Sequence, residues 1–378
     1  MKAKHHEAAA KLSWAQVHAL RLERHHLTQR APIKDLARVV GEIGGVQAQV
    51  MSAAELQVGV RVDCKVDDVR AALWKRRTLA KTWLMRGTLH LVPAVDLPVF
   101  TAAMGAFGIR NTNAWLKWLQ ITERELTELI DAIGDTLDGQ ALTREELIAK
   151  VGKGRSEAIQ HAMKSGWGGV LKPVARKGLL CFGPNRGQSV TFVRPEQWLG
   201  SWRNVDPDAA LTEVARRYLR AYGPATKSDF ARWWGTWPGV GNRAWAGLAG
   251  DLSPVSIDGQ RADMLASDVE RITKRPTGGS VQLLPSFDPY VMGHASRDHI
   301  VEAANLSKVS RTAGWISPVV LVDGRVAGTW SHIAQKGTLQ VTVEPFRPIA
   351  ARTKVEVRRR AESLAETLGL ARTEVRIP

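Results

Sequence analysis

Thr78-Leu79-Ala80-Lys81-Thr82-Trp83-Leu84-Met85-Arg86-Gly87-Thr88-Leu89-His90-Leu91-Val92 is the stretch on which the fold turns. It alternates in the manner of a strand and carries Arg86-Gly87 at its centre, a turn signal, so it predicts a β-hairpin. Helical patterns lead up to it. Ser13 to His26 reads as a helix with Ser13 as N-cap. Pro32 and Lys34 to Glu42 give a second, with Leu36, Val39, Val40 and Ile43 on one face. Ala53 to Val60 and Asp67 to Arg76 give two more. Helices followed by a hairpin make a winged helix, the helix-turn-helix variant whose hairpin is the wing.

The same order recurs downstream. Thr122 to Thr136, Thr143 to Val151 and Ser156 to Ala175 read as helices, and Gly178 to Phe182 with Val190 to Val193 as a hairpin around Pro184-Asn185-Arg186-Gly187. A third round runs through helices at Ala209 to Ala221, Thr226 to Trp234 and Asn242 to Ala249, then the strand-like Val255-Ser256-Ile257 and a turn at Asp258-Gly259. The period is too loose for a solenoid. From Ser280 strands dominate, at Val281 to Leu284, Pro318 to Asp323, Arg325 to Trp330 and Thr338 to Glu344, and a helix from Ile349 to Leu368 closes the chain. The expected fold is therefore α+β. A flexible tail, residues 1–12, precedes three tandem winged-helix units at 13–120, 121–205 and 206–279, and a β-rich C-terminal part spans 280–378.

Composition narrows the function. The chain has 378 residues, ordinary hydrophobic content at 44%, and a formal net charge of +16. A charge of that size points to a polyanionic partner, with nucleic acid favoured over an anionic membrane because no basic amphipathic helix with a bulky apolar face is evident. Met1-Lys2-Ala3-Lys4-His5-His6 is too polar to open a signal peptide. The most apolar stretch, Leu89 to Ile109, is interrupted by His90, Pro93, Asp96 and Pro98, which argues against a membrane span. Cys64 and Cys181 are the only cysteines. They exclude disulfide scaffolds and four-cysteine clusters, and fit a reducing cytoplasm. No phosphate loop or HExxH is present, and the histidine pairs at 5–6 and 25–26 lack partners at metal-ligand spacing, so neither cofactor nor metal is expected.

The candidate chemistry lies upstream of the hairpin, in Gly44-Gly45-Val46-Gln47-Ala48-Gln49-Val50. Glycine stops the helix, since it takes the left-handed conformation without a side-chain penalty. In the extended segment that follows, Gln47 and Gln49 point the same way and Ala48 turns into the core. Two amides can hold a water molecule or read the polar edge of a base, but an amide does not ionise near neutral pH and is no strong base. Read from spacing alone, two solvent-facing glutamines on a connector remain the alternative.

The run Gly45-Val46-Gln47-Ala48-Gln49 resembles the Gln-apolar-Gln catalytic motif of the AlkZ-like winged-helix DNA glycosylases. The likeness continues through Arg61, Leu79 to Val92, Asp229-Phe230-Ala231-Arg232-Trp233, Leu283-Leu284-Pro285-Ser286-Phe287-Asp288-Pro289-Tyr290 and Gly328-Thr329-Trp330, over most of the chain. It implies tandem winged helices forming a C-shaped, basic concavity around duplex DNA, with the glutamine motif at its centre and a hairpin approaching the minor groove. It further implies a monofunctional enzyme, by analogy monomeric, that excises bulky or cross-linked N7-alkylated purines, in some members as self-protection against a DNA-alkylating natural product. A sister group carries Asp in place of the second glutamine. With Gln49 there, this chain resembles the Gln-Gln branch, where a narrower substrate range is expected.

An N7-alkylated guanine is cationic and departs neutral. Gln47 and Gln49 therefore suffice if they orient the attacking water and stabilise the oxocarbenium-like sugar with fixed dipoles. Arg86, Thr88 and His90 alternate along the first wing and are expected at the DNA, as is Arg61. Lys75, Arg76, Arg77 and Lys81 are expected to neutralise phosphates. Each of these cations is also readable as a solvated surface charge, and His90 as a half-buried core histidine. Asp288 is a candidate for lining the cleft or for capping a turn. Pro238-Gly239-Val240-Gly241 resembles the hairpin of helix-hairpin-helix proteins, but its place after Trp233-Trp234 fits a loop. The rival function is a non-catalytic DNA-binding regulator or lesion-binding resistance protein.

Overall fold

The computed structural model of the chain describes residues 10–108, 112–166, 168–200, 202–273 and 278–378. Helices and sheets are mixed, as the α+β reading requires. The chain forms two compact units. The first holds the described residues of Met1–Val46, Val50–Val66 and Ala215–Pro378, and the second holds Gln47–Gln49 with Asp67–Val214. Three times along the chain a run of helices leads into an antiparallel hairpin: Leu79–Trp83 with Leu89–Pro93, Cys181–Arg186 with Ser189–Val193, and Leu252–Ile257 with Gln260–Leu265.

In the first unit the helix Trp14–Arg24 starts at a capping box. The Ser13 hydroxyl accepts from the Gln16 amide at 3.3 Å, and Gln16 Oε1 accepts from the Ser13 amide at 2.9 Å. Ala10–Leu12, expected to be the end of a loose tail, is instead a strand parallel to Leu252–Ile257. The cause is Leu12, which buries its side chain with Val255 and Ile257 and so gives the segment a reason to order. Residues 1–9 lie outside the described residues. Asp258 and Gly259 turn the following hairpin with φ of 46° and 87°, the paired positive values that suit a two-residue connection. Pro238-Gly239-Val240-Gly241 is not a loop. It forms the first turn of the helix Pro238–Gly247, with proline at the helix start, where a missing N–H is harmless.

Five strands make the C-terminal sheet, in sequence order and antiparallel except for the last, Arg372–Arg376, which runs parallel to Thr338–Pro345. The helix Ala351–Leu368 covers one face, setting Val357, Ala361, Leu364 and Ala365 among Leu283, Val320, Trp330, Leu339, Val341 and Val343. Each leucine or valine removed from water here is worth roughly 1.5–3 kcal/mol.

Arg61 and Asp288 correct two sequence expectations together. Both side chains are 0% exposed. They form a bidentate pair at 2.7 and 2.8 Å, and Arg61 also donates to the Gln57 carbonyl at 2.9 Å. Asp288 in turn caps the short helix Pro289–Met292 through the Tyr290 amide. Arg61 is therefore a structural residue and not a DNA contact, and Asp288 lines no cleft. The same unit buries His18, His25 and His294, whose ring packing involves Trp14, Tyr222, Tyr290, Tyr218 and His299, near the guanidinium of Arg21. Arg21 bonds His299 Nε2 at 3.0 Å and the Pro224 carbonyl at 2.8 Å.

The second unit holds two three-stranded sheets and short helices, two of which start at capping boxes on Thr122 and Thr143. The single helix expected over Ser156 to Ala175 is two, Glu157–Lys164 and Leu171–Arg176. Left-handed Gly168 (φ 98°) and Gly169 (φ 33°) break it, and residue 167 lies outside the described residues. Trp83, Phe182 and Phe192 close the packing between the two sheets, with ring centroids 4.9 and 5.2 Å apart in successive pairs.

Breaking the Arg61–Asp288 pair on one side leaves a buried charge without its partner. Arg61→Met or Asp288→Leu alone is expected to destabilise the chain by about 3–5 kcal/mol, and the double variant by much less. Urea unfolding of the three variants checks this. Burial lowers the pKa of His18 to about 3 and of His25 and His294 well below the ordinary value of 6.5. Unfolded chains bind these protons below about pH 6.5 while the folded unit does not. Stability is therefore complete above that pH and falls as pH drops toward 3, by about 1.4 kcal/mol per histidine per pH unit. Melting temperatures measured from pH 8 to pH 4 are expected to stay level and then fall below about pH 6.5.

Candidate functional site

The helix Val66–Trp74 ends in Lys75, Arg76 and Arg77, all exposed, with Arg77 in the left-handed region at φ 54°. Arg76 donates to the Asp68 carbonyl at 3.0 Å. The Arg77 guanidinium lies 3.8 Å above the Trp198 ring and donates to the Trp198 carbonyl at 3.1 Å. The chain then enters the hairpin, where Thr82 faces His90 and Lys81 faces Leu91. Lys81 is half-buried, on the same side as Trp83, with its ammonium 5.3 Å from the Phe182 ring.

The connection is not a two-residue turn. Met85–Gly87 forms a tight three-residue turn, with Arg86 at φ 56°, ψ 13° and Gly87 at φ 65°, both left-handed. A left-handed conformation at a residue with a side chain costs about 1–2 kcal/mol and persists where the surroundings hold it. Here Gly87 N–H donates to the Leu84 carbonyl at 2.9 Å, and Leu84 N–H to the Thr88 carbonyl at 3.0 Å. The half-buried Thr88 returns its hydroxyl to the Met85 carbonyl at 3.2 Å.

His90 was expected to face DNA. It is 1% exposed and does something else. Its Nδ1 lies 2.9 Å from the Thr88 carbonyl, which can only accept, so Nδ1 carries the proton. Desolvation, and secondarily the charge of Arg86, lower its pKa to about 3 and keep the ring neutral. Nε2 is thus left as an acceptor, and Arg86 Nη2 donates to it at 3.4 Å. His90 holds the Arg86 side chain and is neither a DNA contact nor a proton-transfer group at neutral pH.

The glutamine segment runs alongside the other edge of Leu89–Pro93, so the sheet order is Val46–Gln47, Leu89–Pro93, Leu79–Trp83. Ala48 N–H donates to the Leu89 carbonyl at 2.7 Å, and Ala48 is 0% exposed, as the alternation of an extended segment demands. Gln49 is half-buried, and its Oε1 accepts from the Leu89 amide at 3.4 Å. Gln47 is 8% exposed, and its Oε1 has no hydrogen-bond partner in the protein. An unsatisfied buried acceptor costs about 1–3 kcal/mol and calls for an explanation such as a bound water or substrate. The arrangement supplies neutral carbonyl dipoles, an ordered cationic turn beside them, and an imidazole that stays neutral.

The fold thus brings Gln49, Thr88, His90 and Arg86 into one hydrogen-bonded chain through the backbone at Leu89. Lys75, Arg76 and Arg77 stand at the end of the preceding helix, and Arg61 and Asp288 belong to the core of the other unit. One residue escaped sequence reasoning. Lys172 is half-buried, and a Cβ built on Gly87 would lie 3.7 Å from its ammonium. Its only signal was its solitude, a lone charge in the apolar run Val170-Leu171-Lys172-Pro173-Val174 after the glycines at 166, 168 and 169.

Known proteins match this chain over nearly its whole length. An interstrand DNA cross-link repair glycosylase of Streptomyces sahachiroi is 39% identical, covering 97% of this chain and all of that protein. The solved structure of the Streptomyces sahachiroi DNA glycosylase AlkZ superposes with a TM-score of 0.88 at 36% identity, again over 97% of this chain and the whole of the other. The family model for AlkZ-like DNA glycosylases matches residues 40–367, a span that takes in the glutamine segment, the hairpin with its ordered Arg86 and four of the five strands of the C-terminal sheet. With motif, fold and full-length similarity in agreement, the chain belongs to the AlkZ-like DNA glycosylases.

Proposed function

We propose that this DNA glycosylase hydrolyses the N-glycosidic bond of bulky or cross-linked N7-alkylated purines in duplex DNA, with Gln47 and Gln49 as its catalytic residues. The observation that carries the reading is the Gln47 carbonyl, which is buried and has no partner in the protein, one residue from a Gln49 carbonyl tied to the hairpin backbone. Gln47 Oε1 accepts a hydrogen from the attacking water and aims its lone pair at C1′. Gln49, its carbonyl already engaged, contributes its dipole as positive charge develops on the sugar. Fixed dipoles need no reorganisation when the bond breaks, and that is the source of their rate enhancement. The leaving purine is already cationic and needs no acid, which suits a site whose one imidazole titrates near pH 3.

The relative from Streptomyces sahachiroi is named for interstrand cross-link repair, and this supports a bulky or cross-linked lesion as the substrate here. Arg86 and Thr88 at the turn, Lys81 within the hairpin, and Lys75, Arg76 and Arg77 at the helix end are the proposed DNA contacts. The tandem winged-helix parse at 13–120, 121–205 and 206–279, with the β-rich part at 280–378, belongs to the same proposal, supported by the three helix-to-hairpin successions. So do action as a monomer, a cytoplasmic location and self-protection against an alkylating natural product. Among the described residues no helix is long and apolar enough to cross a membrane.

Duplex DNA carrying one N7-alkylguanine, incubated with enzyme and then heated in alkali, breaks at each abasic site formed. Gln47→Ala and Gln49→Ala are each expected to lower the single-turnover rate by about 10²-fold with duplex binding retained. Unchanged excision in both variants would remove the glutamine mechanism. Because amides do not ionise, the wild-type rate is expected to be level between about pH 6.5 and pH 8. A bell-shaped profile in that range would require a titrating group that this reading does not contain.

A further inference from the structure

Lys172, in the first turn of the helix Leu171–Arg176, is set beside the Arg86 turn by close packing at Gly168. Its stem crosses Gly168, where a Cβ would meet Lys172 Cγ at 2.8 Å and the Trp83 ring at 2.9 Å. The left-handed glycine (φ 98°) lets the lysine stem and the indole approach from two sides, and Lys172 N–H is bonded to the Gly168 carbonyl at 3.2 Å. The ammonium then ends beside Gly87, 3.7 Å from where a Cβ on that glycine would lie. Among the described residues the Lys172 ammonium has no hydrogen-bond or ion-pair partner. Burial alone shifts its pKa, downward, with no carboxylate acting against it.

A half-buried cation with a pre-ordered stem and no internal anion is destabilising in the free protein, and a ligand anion relieves that cost. An ammonium is a compact, strongly hydrated point charge with three donors, well matched to a phosphate oxygen. The neighbouring residue of the turn is Arg86, whose left-handed backbone and His90 contact hold a second cation at the same corner. We infer that Lys172 is a DNA-phosphate ligand that, with Arg86, clamps one strand of the duplex at the Met85–Gly87 turn and so sets the register of the strand against the glutamine pair. This rests on the glycosylase reading of that site.

Removing one phosphate contact lowers the slope of log K against log salt by about 0.9. Binding of the full-length protein to an unmodified duplex, measured from about 50 to 200 mM salt, is therefore expected to show that drop in Lys172→Met, with affinity at the low-salt end reduced about 10-fold. The methionine keeps the stem over Gly168, so its melting temperature is expected to be at least that of wild type. Lys172→Arg is expected to retain the wild-type slope. An unchanged slope in Lys172→Met overturns the inference. So does an adduct between wild-type protein and abasic duplex after borohydride reduction that Lys172→Met lacks, because the lysine would then be a nucleophile. Wild-type excision of a bulky N7-alkylguanine from duplex DNA is followed in the same preparations. Its absence would count against the glycosylase reading alone, since the slope is read on undamaged DNA.

Discussion

One backbone hydrogen bond does much of the organising: Ala48 N–H to the Leu89 carbonyl, 2.7 Å. It docks the glutamine segment on the hairpin strand in a single register, and side chains alternate about that register. A slip of one residue would turn both amides to the face that Ala48 now holds. The same strand residue then gives its own N–H to Gln49 Oε1, so the backbone at Leu89 both receives and donates along the segment it holds. Of the two glutamines, Gln47 keeps a carbonyl with no internal partner.

Neutrality is the shared electrostatic character of the site. A glutamine pair offers dipoles without charge, and His90 is kept uncharged by burial and by the guanidinium beside it. Formal charge is placed one step away, on Arg86 and Lys172, at the corner of the hairpin. That separation suits a reaction whose substrate base arrives positive. Anionic carboxylates would stabilise the ground state of such a base as well as its departure, whereas amide dipoles act chiefly on the sugar cation that appears only in the transition state.

Much of this was legible in the residues. Ser13, Thr122, Thr143 and Thr226 announce helix starts through local chemistry, and each is seen capping its helix. Gly44 announces a stop and sits at φ 74°. The alternation of Thr78 to Val92 gives the hairpin, and the Gln-Ala-Gln spacing gives the buried alanine between two amides. The failures share a cause, since each depended on a partner remote in sequence. Nothing near Arg61 reveals that Asp288, 227 positions on, will take both of its donors. Ala10–Leu12 is a strand only because Val255 and Ile257 lie next to it. Alternation put Arg86, Thr88 and His90 on one face toward DNA, but it could not tell that the last would be sealed inside as a support for the first. Lys172 carried no local pattern at all.

The partition of the chain has a consequence for descent. Gln47–Gln49 is counted with Asp67–Val214, while the residues immediately on either side of that tripeptide are counted with the other unit. A recombination event that moved 67–214 as one cassette would leave its third strand and both amides behind. A transferred segment keeps the glutamine pair on its hairpin only if it runs unbroken from Val46 to Pro93.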